Sequence, residues 1–353
     1  MAVTVPRIGQ LPSGARDAIT DVTGVTVGHS TLDDGEVHTG VTVVRPHGGD
    51  PYLQRVPAGF AVLNGFGKSV GLVQVEELGV LETPIALTNT FSVPAVAAAQ
   101  IRQCVAANPA CGRDLPTVNP LVFECNDGFL NDIQRMAVSE LDYLQALSDA
   151  HEVFAQGSVG AGRGMSSFAL KGGIGSASRR NGAHTVGALV LANYGRLENL
   201  LVAGHAVGGQ IATQLADGQS TGPEKGSIII VIATDAPLDA RQLRRLSLRA
   251  GAGLARTGSV FGHGSGDIAL AFSTAYTLPQ RPNQPMPAVA LLHDGLLDGL
   301  FQAVADSVEQ AILHALWRAT SFVGRSGHVR PALTDLLRDW PRDAFARFNF
   351  DPS

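Results

Sequence analysis

The residues of most chemical interest are Lys225-Gly226-Ser227, where a polar loop meets the run Ser-Ile-Ile-Ile-Val-Ile-Ala ending at Ala233. A serine that opens a buried strand is usually structural. Here a glycine precedes it, and glycine tolerates the strained torsions that a rearrangement at that bond requires. If the Ser227 hydroxyl attacks the Gly226 carbonyl, the peptide becomes an ester, and hydrolysis frees Ser227 as a new N-terminus. A terminal amine titrates at about 7.7–8.0, which suits it to deprotonate its own hydroxyl near neutral pH.

Other motifs carry less. Gly218-Gln-Ser220-Thr-Gly222 matches the Gly-x-Ser-x-Gly nucleophile elbow, but neither a strand before it nor a helix after it is legible, so it reads as a polar loop. Gly157-Ser-Val-Gly160-Ala-Gly162-Arg-Gly164 lacks the dinucleotide-binding spacing, and Lys171 lies too far on for a P-loop. It reads as a glycine-lined bend where backbones approach closely. The 10 histidines show no short ligand-like spacing, so neither a metal nor another cofactor is expected. Only three lysines occur, Lys68, Lys171 and Lys225, each beside a glycine.

Positioning these groups falls to strands grouped with helices. Ala18–Val27, Gly40–Arg45, Gly59–Leu63, Pro84–Thr88, Leu121–Glu124, Thr185–Ala192, Ser227–Ala233 and Asp267–Ser273 read as strands, rich in Val, Ile, Leu and Thr. Helices are expected over Pro94–Cys104 and Asn131–Leu147. Another opens at the capping box Asp239/Gln242 and runs to Leu254, and a last one carries Phe301, Val304, Val308, Ile312 and Ala315 on one face, apolar surface expected to be buried in part by a second copy of the chain. Without strict strand–helix alternation, this predicts a layered α+β (mixed) domain.

Composition agrees. The 353 residues are 45% hydrophobic and only 16% charged, which excludes a disordered chain. A net charge of −5 without a basic stripe argues against a nucleic-acid partner. No apolar run reaches the roughly 20 residues that span a bilayer, so no membrane partner is expected. Three cysteines (Cys104, Cys111, Cys125) and no basic, apolar leader make a reducing, cytoplasmic setting the expectation.

From Ile19 to Ser273 the chain resembles the family of L-aminopeptidase/D-amidase-esterases and β-peptidyl aminopeptidases. The resemblance is carried by Ile19-Thr-Asp-Val-Thr-Gly-Val-Thr-Val-Gly-His29, Thr39-Gly-Val-Thr-Val43, Leu63-Asn-Gly, Glu82-Thr-Pro-Ile-Ala-Leu-Thr-Asn-Thr90 and Asn126-Asp-Gly. It continues through Lys171-Gly-Gly-Ile-Gly175, Ala192-Asn-Tyr-Gly195, Gly226-Ser-Ile-Ile-Ile-Val-Ile-Ala-Thr-Asp235 and Gly264-Ser-Gly-Asp-Ile268.

The resemblance implies a four-layer αββα sandwich, like that of N-terminal-nucleophile hydrolases but differently connected. It implies self-cleavage between Gly226 and Ser227 into an α chain (1–226) and a β chain (227–353), assembled as a homo-oligomer of αβ units. Carried across by motif, Ser227 is the nucleophile and Asn193 an oxyanion donor, while Ser265 and Asp267 orient the Ser227 hydroxyl and amine. The implied reaction releases N-terminal residues from short peptides, amides or esters through an acyl-enzyme. Glu124 and Asp127 are candidates to receive the substrate amine. Phe129 stands where the family tends to show a tyrosine or another polar aromatic, and the family's Asn-Gly-Asn-Gly reads here Asn64-Gly-Phe66-Gly, followed by Lys68. Other linear amides such as ω-amino-acid oligomers are an alternative substrate class, acyl transfer to an amine is an alternative outcome, and an unprocessed ligand-binding relative is the alternative outside catalysis.

Overall fold

Ile228, Ile230 and Ile232 pack into one hydrophobic cluster, and their neighbours Ile229, Val231 and Ala233 into another. Successive strand residues point to opposite faces, so this run demands an apolar layer on each side. The computed structural model, which describes residues 4–215, 225–338 and 340, supplies both layers.

In chain order the principal strands are β1 (Thr26–Asp34), β2 (Val37–Arg45), β3 (Gln54–Gly65), β4 (Ile85–Asn89) and β5 (Val122–Cys125), then β6 (Gly173–Asn181), β7 (His184–Asn193), β8 (Lys225–Thr234) and β9 (Gly264–Ser273). The principal helices are α1 (Val93–Ala107), α2 (Glu140–Ser148), α3 (Ala240–Ala255) and α4 (Asp298–Trp317). One sheet has the order β1-β2-β4-β5; the other runs β3-β9-β8-β7-β6, with Leu278–Pro279 and Val80–Leu81 pairing on β3. Strands β8 and β9 are parallel, joined through α3, whereas β7–β8 and β9–β3 are antiparallel.

The four expected layers are present. Val41, Val43, Ala86 and Val122 pack with Val96, Ala99 and Tyr143 on the helix side of the first sheet. Val27, Leu87 and Phe123 meet Leu189, Leu191, Ile229 and Leu270 between the sheets. Val190, Ile230 and Ala269 pack with Leu246, Ala250, Val304 and Val308 of α3 and α4. The capping box is also formed. Gln242 N donates to Asp239 Oδ1 at 2.7 Å, and Asp239 N donates to Gln242 Oε1 at 3.1 Å, a contribution of about 1 kcal/mol.

Three expectations change. The stretch expected as a strand from Ala18 opens instead with a 3-10 turn at Ile19–Asp21, and β1 begins at Thr26. The Asp21 carboxylate accepts from the N–H groups of Arg16 and Ala18, which closes the turn. The helix expected over Asn131–Leu147 is confined to Glu140–Ser148. Met136 has φ +44°, a conformation that ends any helix, and Asn131 is engaged by the His38 N–H and by Asp127. The apolar residues of α4, expected to present surface to a partner, are spent inside this chain: every residue from Ala303 to Leu316 is buried.

The glycine-dense stretch serves close approach. A Cβ on Gly175 would lie 1.9 Å from the Ala311 carbonyl oxygen, so glycine is what lets α4 settle on β6. The Gly218–Gly222 match and most of the polar segment before Gly226 lie outside the described residues. No helix among the described residues is long and apolar enough to cross a membrane.

Candidate active site

Ser227 stands at the mouth of β8, where three strands end together. Across the antiparallel pair it faces Asn193, the last residue of β7; across the parallel pair it faces Gly266 of β9. The Gly266 N–H donates to Ser227 Oγ at 3.1 Å, and Ser227 is 5% exposed. Gly226 has φ +124°, a region that L side chains rarely adopt, and a Cβ there would sit 2.0 Å from the Asn193 carbonyl oxygen. The peptide before Ser227 therefore holds a conformation that only glycine fits.

Asn193 is fixed at both ends of its amide. Its Oδ1 accepts from Ser166 N at 2.8 Å, and its Nδ2 donates to Asn126 O at 2.9 Å. The first bond ties it to the bend before β6 and the second to the end of β5 in the facing sheet. An amide nitrogen carries two N–H groups, and Asn126 accepts from one of them. By strand alternation Asn193 and Ser227 share the inter-sheet side with Leu191 and Ile229.

Ser265 and Asp267 are fully buried, and Ser265 Oγ donates to Asp267 Oδ1 at 2.5 Å. Their register partners are Gly226 and Ile228, so the pair brackets Ser227 along β9. Alternation sets them on the helix side of the sheet, with Ala269 and Ala271, opposite the Ser227 side chain. The Asn64 amide donates to the carbonyls of Gly262 and Ser265, which pins the start of β9.

The two candidate carboxylates differ in setting. Glu124 is buried near the end of β5; Oε1 accepts from Lys68 N at 2.8 Å and Oε2 from the Thr90 hydroxyl. The loop that holds it also packs on the serine's neighbour, since a Cβ on Gly266 would meet Phe66 O at 2.8 Å and Gly67 Cα at 3.0 Å. Asp127 is fully buried, accepts from Asn131 Nδ2 at 2.9 Å, and is pushed up to about 7 by burial, against the opposing effects of Thr39, Asn131 and the Lys171 charge. Lys171 is driven down to about 7 by burial, and its Nζ donates to the carbonyls of Gly162, Met165 and Gly172 at 2.8–3.0 Å. It braces the bend through those three carbonyls.

Phe129 is 38% exposed, with the His328 ring stacked on it at 4.5 Å. Residue types alone did not disclose three of these features. The Gly266 N–H is a backbone group. The Ser166 and Asn126 anchors and the His328 contact join positions far apart in sequence. Asn126-Asp-Gly, already singled out as a motif, was the available signal for one of them. A cavity of about 440 Å³ lined by Arg45, Tyr52, Glu82, Cys104 and Leu144 lies elsewhere and includes none of the site residues.

Comparison with known proteins gives a consistent picture. The family model described as peptidase family S58 matches residues 17–330. A β-peptidyl aminopeptidase, BapA, of Sphingosinicella microcystinivorans is 38% identical over 344 residues, 90% of this chain and 85% of the relative. Among solved structures, a Burkholderia sp. β-aminopeptidase superposes with a TM-score of 0.89 at 40% identity, covering 98% of each chain. An L-aminopeptidase D-Ala-esterase/amidase from Ochrobactrum anthropi, described as a prototype serine aminopeptidase and a variant of the Ntn hydrolase fold, superposes with a TM-score of 0.87. It is 33% identical, covering 98% of this chain and 97% of that one.

Proposed function

Because the chain belongs to peptidase family S58 and is an aminopeptidase/amidase with an N-terminal-nucleophile type of fold, we propose that Ser227 first cuts its own chain and then serves as the nucleophile. The observation that carries this reading is the Gly226–Ser227 step: a glycine-only conformation at a strand mouth, with Asn193 directly opposite.

In the first step Ser227 Oγ attacks the Gly226 carbonyl. The C–N bond breaks as the nitrogen gains a proton, leaving an ester, and water hydrolyses that ester to a Gly226 carboxylate and a Ser227 amine. In turnover the amine takes the hydroxyl proton as Oγ attacks the substrate carbonyl. Asn193 Nδ2 donates to the developing oxyanion, a role worth up to about 3–4 kcal/mol. The proton passes to the leaving amine, and water releases the acyl group. Ser265 and Asp267 bracket the backbone at Ser227, which suits them to orient its nitrogen.

Substrates are short peptides, amides or esters with a free amine, and β-amino acids are within the class named for relatives. Glu124 suits the amine better than Asp127. It sits on the loop packed against Gly266, whereas burial favours a neutral Asp127, a poor receptor for an ammonium group. The three cysteines form no disulfide, in keeping with a cytoplasmic setting. The active form is a homo-oligomer of αβ units.

Intact-mass analysis tests the reading. Cleavage gives chains of 226 and 127 residues (353 minus 226), roughly 23.5 and 13 kDa, the smaller beginning Ser-Ile-Ile-Ile-Val. Ser227→Ala stays one chain and is inactive. An active enzyme that is uncut, or cut at another bond, overturns the amine-base mechanism.

A further inference from the structure

Arg330 ends the short strand Val329–Arg330, with its guanidinium 3.6 Å from the centroid of the Phe129 ring. Its Nε is buried without a hydrogen-bond partner, and its Nη1 reaches only the adjacent Val329 carbonyl, at 3.3 Å. No carboxylate among the described residues pairs with it. Burial alone pulls its pKa down to about 10, with no acid nearby to oppose the shift. The side chain is half-buried with no counter-charge against it, and a guanidinium is shaped to grip a carboxylate through two parallel N–H groups.

A chain of contacts ties this unpaired cation to the strand mouth at Ser227. The segment carrying it is clamped to residues 128–130: Arg325 Nε donates to Gly128 O at 2.8 Å, Arg325 N to Leu130 O at 2.8 Å, and His328 Nδ1 bonds Phe129 O at 2.7 Å. That turn follows Asn126, whose carbonyl accepts from Asn193, the cross-strand partner of Ser227. On the other side of Ser227, Glu124 is held by the Lys68 N–H, and the Lys68 ammonium lies 4.0 Å over the exposed Phe66 ring. The two loops thus offer a carboxylate on one side and an unpaired guanidinium on the other.

We propose that Arg330 receives the free carboxylate of the substrate, so that the enzyme selects short peptides with an ionised C-terminus over their amides. The proposal rests on the aminopeptidase reading above and narrows its substrate class. A zwitterionic di- or tripeptide then meets opposite charges at its two ends, which fixes its direction across Ser227.

The test compares kcat/KM for a tripeptide with a free C-terminus and for its C-terminal amide. Wild-type enzyme should favour the free acid at least tenfold. Arg330→Gln should lose most of that preference through a higher KM for the acid, and Arg330→Lys should recover part of it. Two-chain processing, read by intact mass, verifies that each variant folds. Equal use of acid and amide by wild type, or an unchanged ratio in Arg330→Gln, overturns the proposal. Loss of the preference in Lys68→Met but not in Arg330→Gln also overturns it, by moving the receptor to the other loop. If neither compound is hydrolysed, the aminopeptidase reading fails. Calorimetric binding of the same two compounds then decides this proposal by itself: tighter binding of the acid, lost in Arg330→Gln, supports it, and equal binding overturns it.

Discussion

Asn193 stands directly across the β7–β8 ladder from Ser227, and its carbonyl oxygen occupies the space that a Cβ on Gly226 would need. The same residue is thus the register partner of the proposed nucleophile and, through its backbone, the constraint on the step proposed to be cut. Its amide is held by Ser166 from the bend before β6 and by Asn126 from the other sheet. Geometry at the serine is therefore set by both sheets at once.

Gly226→Ala tests the backbone half of that relationship. The added methyl meets the Asn193 carbonyl at 2.0 Å, and φ +124° adds strain of about 1–3 kcal/mol. Relief requires the strand mouth to open, which separates Ser227 from Asn193 and from the Gly266 N–H. The variant should fold with a lowered Tm and remain largely uncut on mass analysis. Processing at the wild-type rate would show that the step does not need glycine.

Asn193→Ala tests the side-chain half. Loss of the proposed oxyanion donor should lower kcat by roughly 10²–10³. Because Ser166 N and Asn126 O lose a partner as well, Tm should fall by a few degrees, on the order of 1–2 kcal/mol. Material that has cut itself and is fully active on an amino-acid anilide would remove Asn193 from the mechanism.

Much of this architecture is readable from residue order because it follows local periodicity. The run Ile228–Ala233 requires apolar layers on both faces, and Asp239 with Gln242 marks the start of α3 to within a residue. Periodicity fails where a side chain has a distant commitment. Ile133, Met136 and Leu144 keep helical spacing, yet Asn131 is taken by His38 and Asp127, and the chain turns at Met136 instead. The site divides along the same line. Ser227, Asn193, Ser265 and Asp267 lie in recognisable motifs. The Gly266 donor is backbone, and the Arg330–Phe129 contact joins residues about two hundred positions apart, which no local pattern encodes.

Assembly is open to a direct measurement. Light scattering at micromolar concentration should give a mass that is a multiple of one αβ unit. Helix α4 is not the surface responsible, since its residues from Ala303 to Leu316 are already buried within one chain. A single αβ unit at that concentration would contradict the homo-oligomer.

Asp127 gives a pH signature. Its carboxyl is raised to about 7 by burial, against about 3.9 in an unfolded chain. The folded protein therefore holds this proton more tightly than the unfolded one. The associated stability is fully present below about pH 4 and is lost as pH rises toward 7, because a buried carboxylate must then be carried without water. Asn in its place cannot ionise, and its amide oxygen can still accept from Asn131 Nδ2, the bond seen at 2.9 Å. Other groups titrate over the same range, so the informative quantity is the difference in Tm between Asp127→Asn and wild type. That difference should move in favour of the variant by a few degrees, roughly, between pH 4 and pH 8. A difference that stays flat across the range would show that the carboxyl is not raised. It would also remove the main reason for preferring Glu124 as the receptor of the substrate amine.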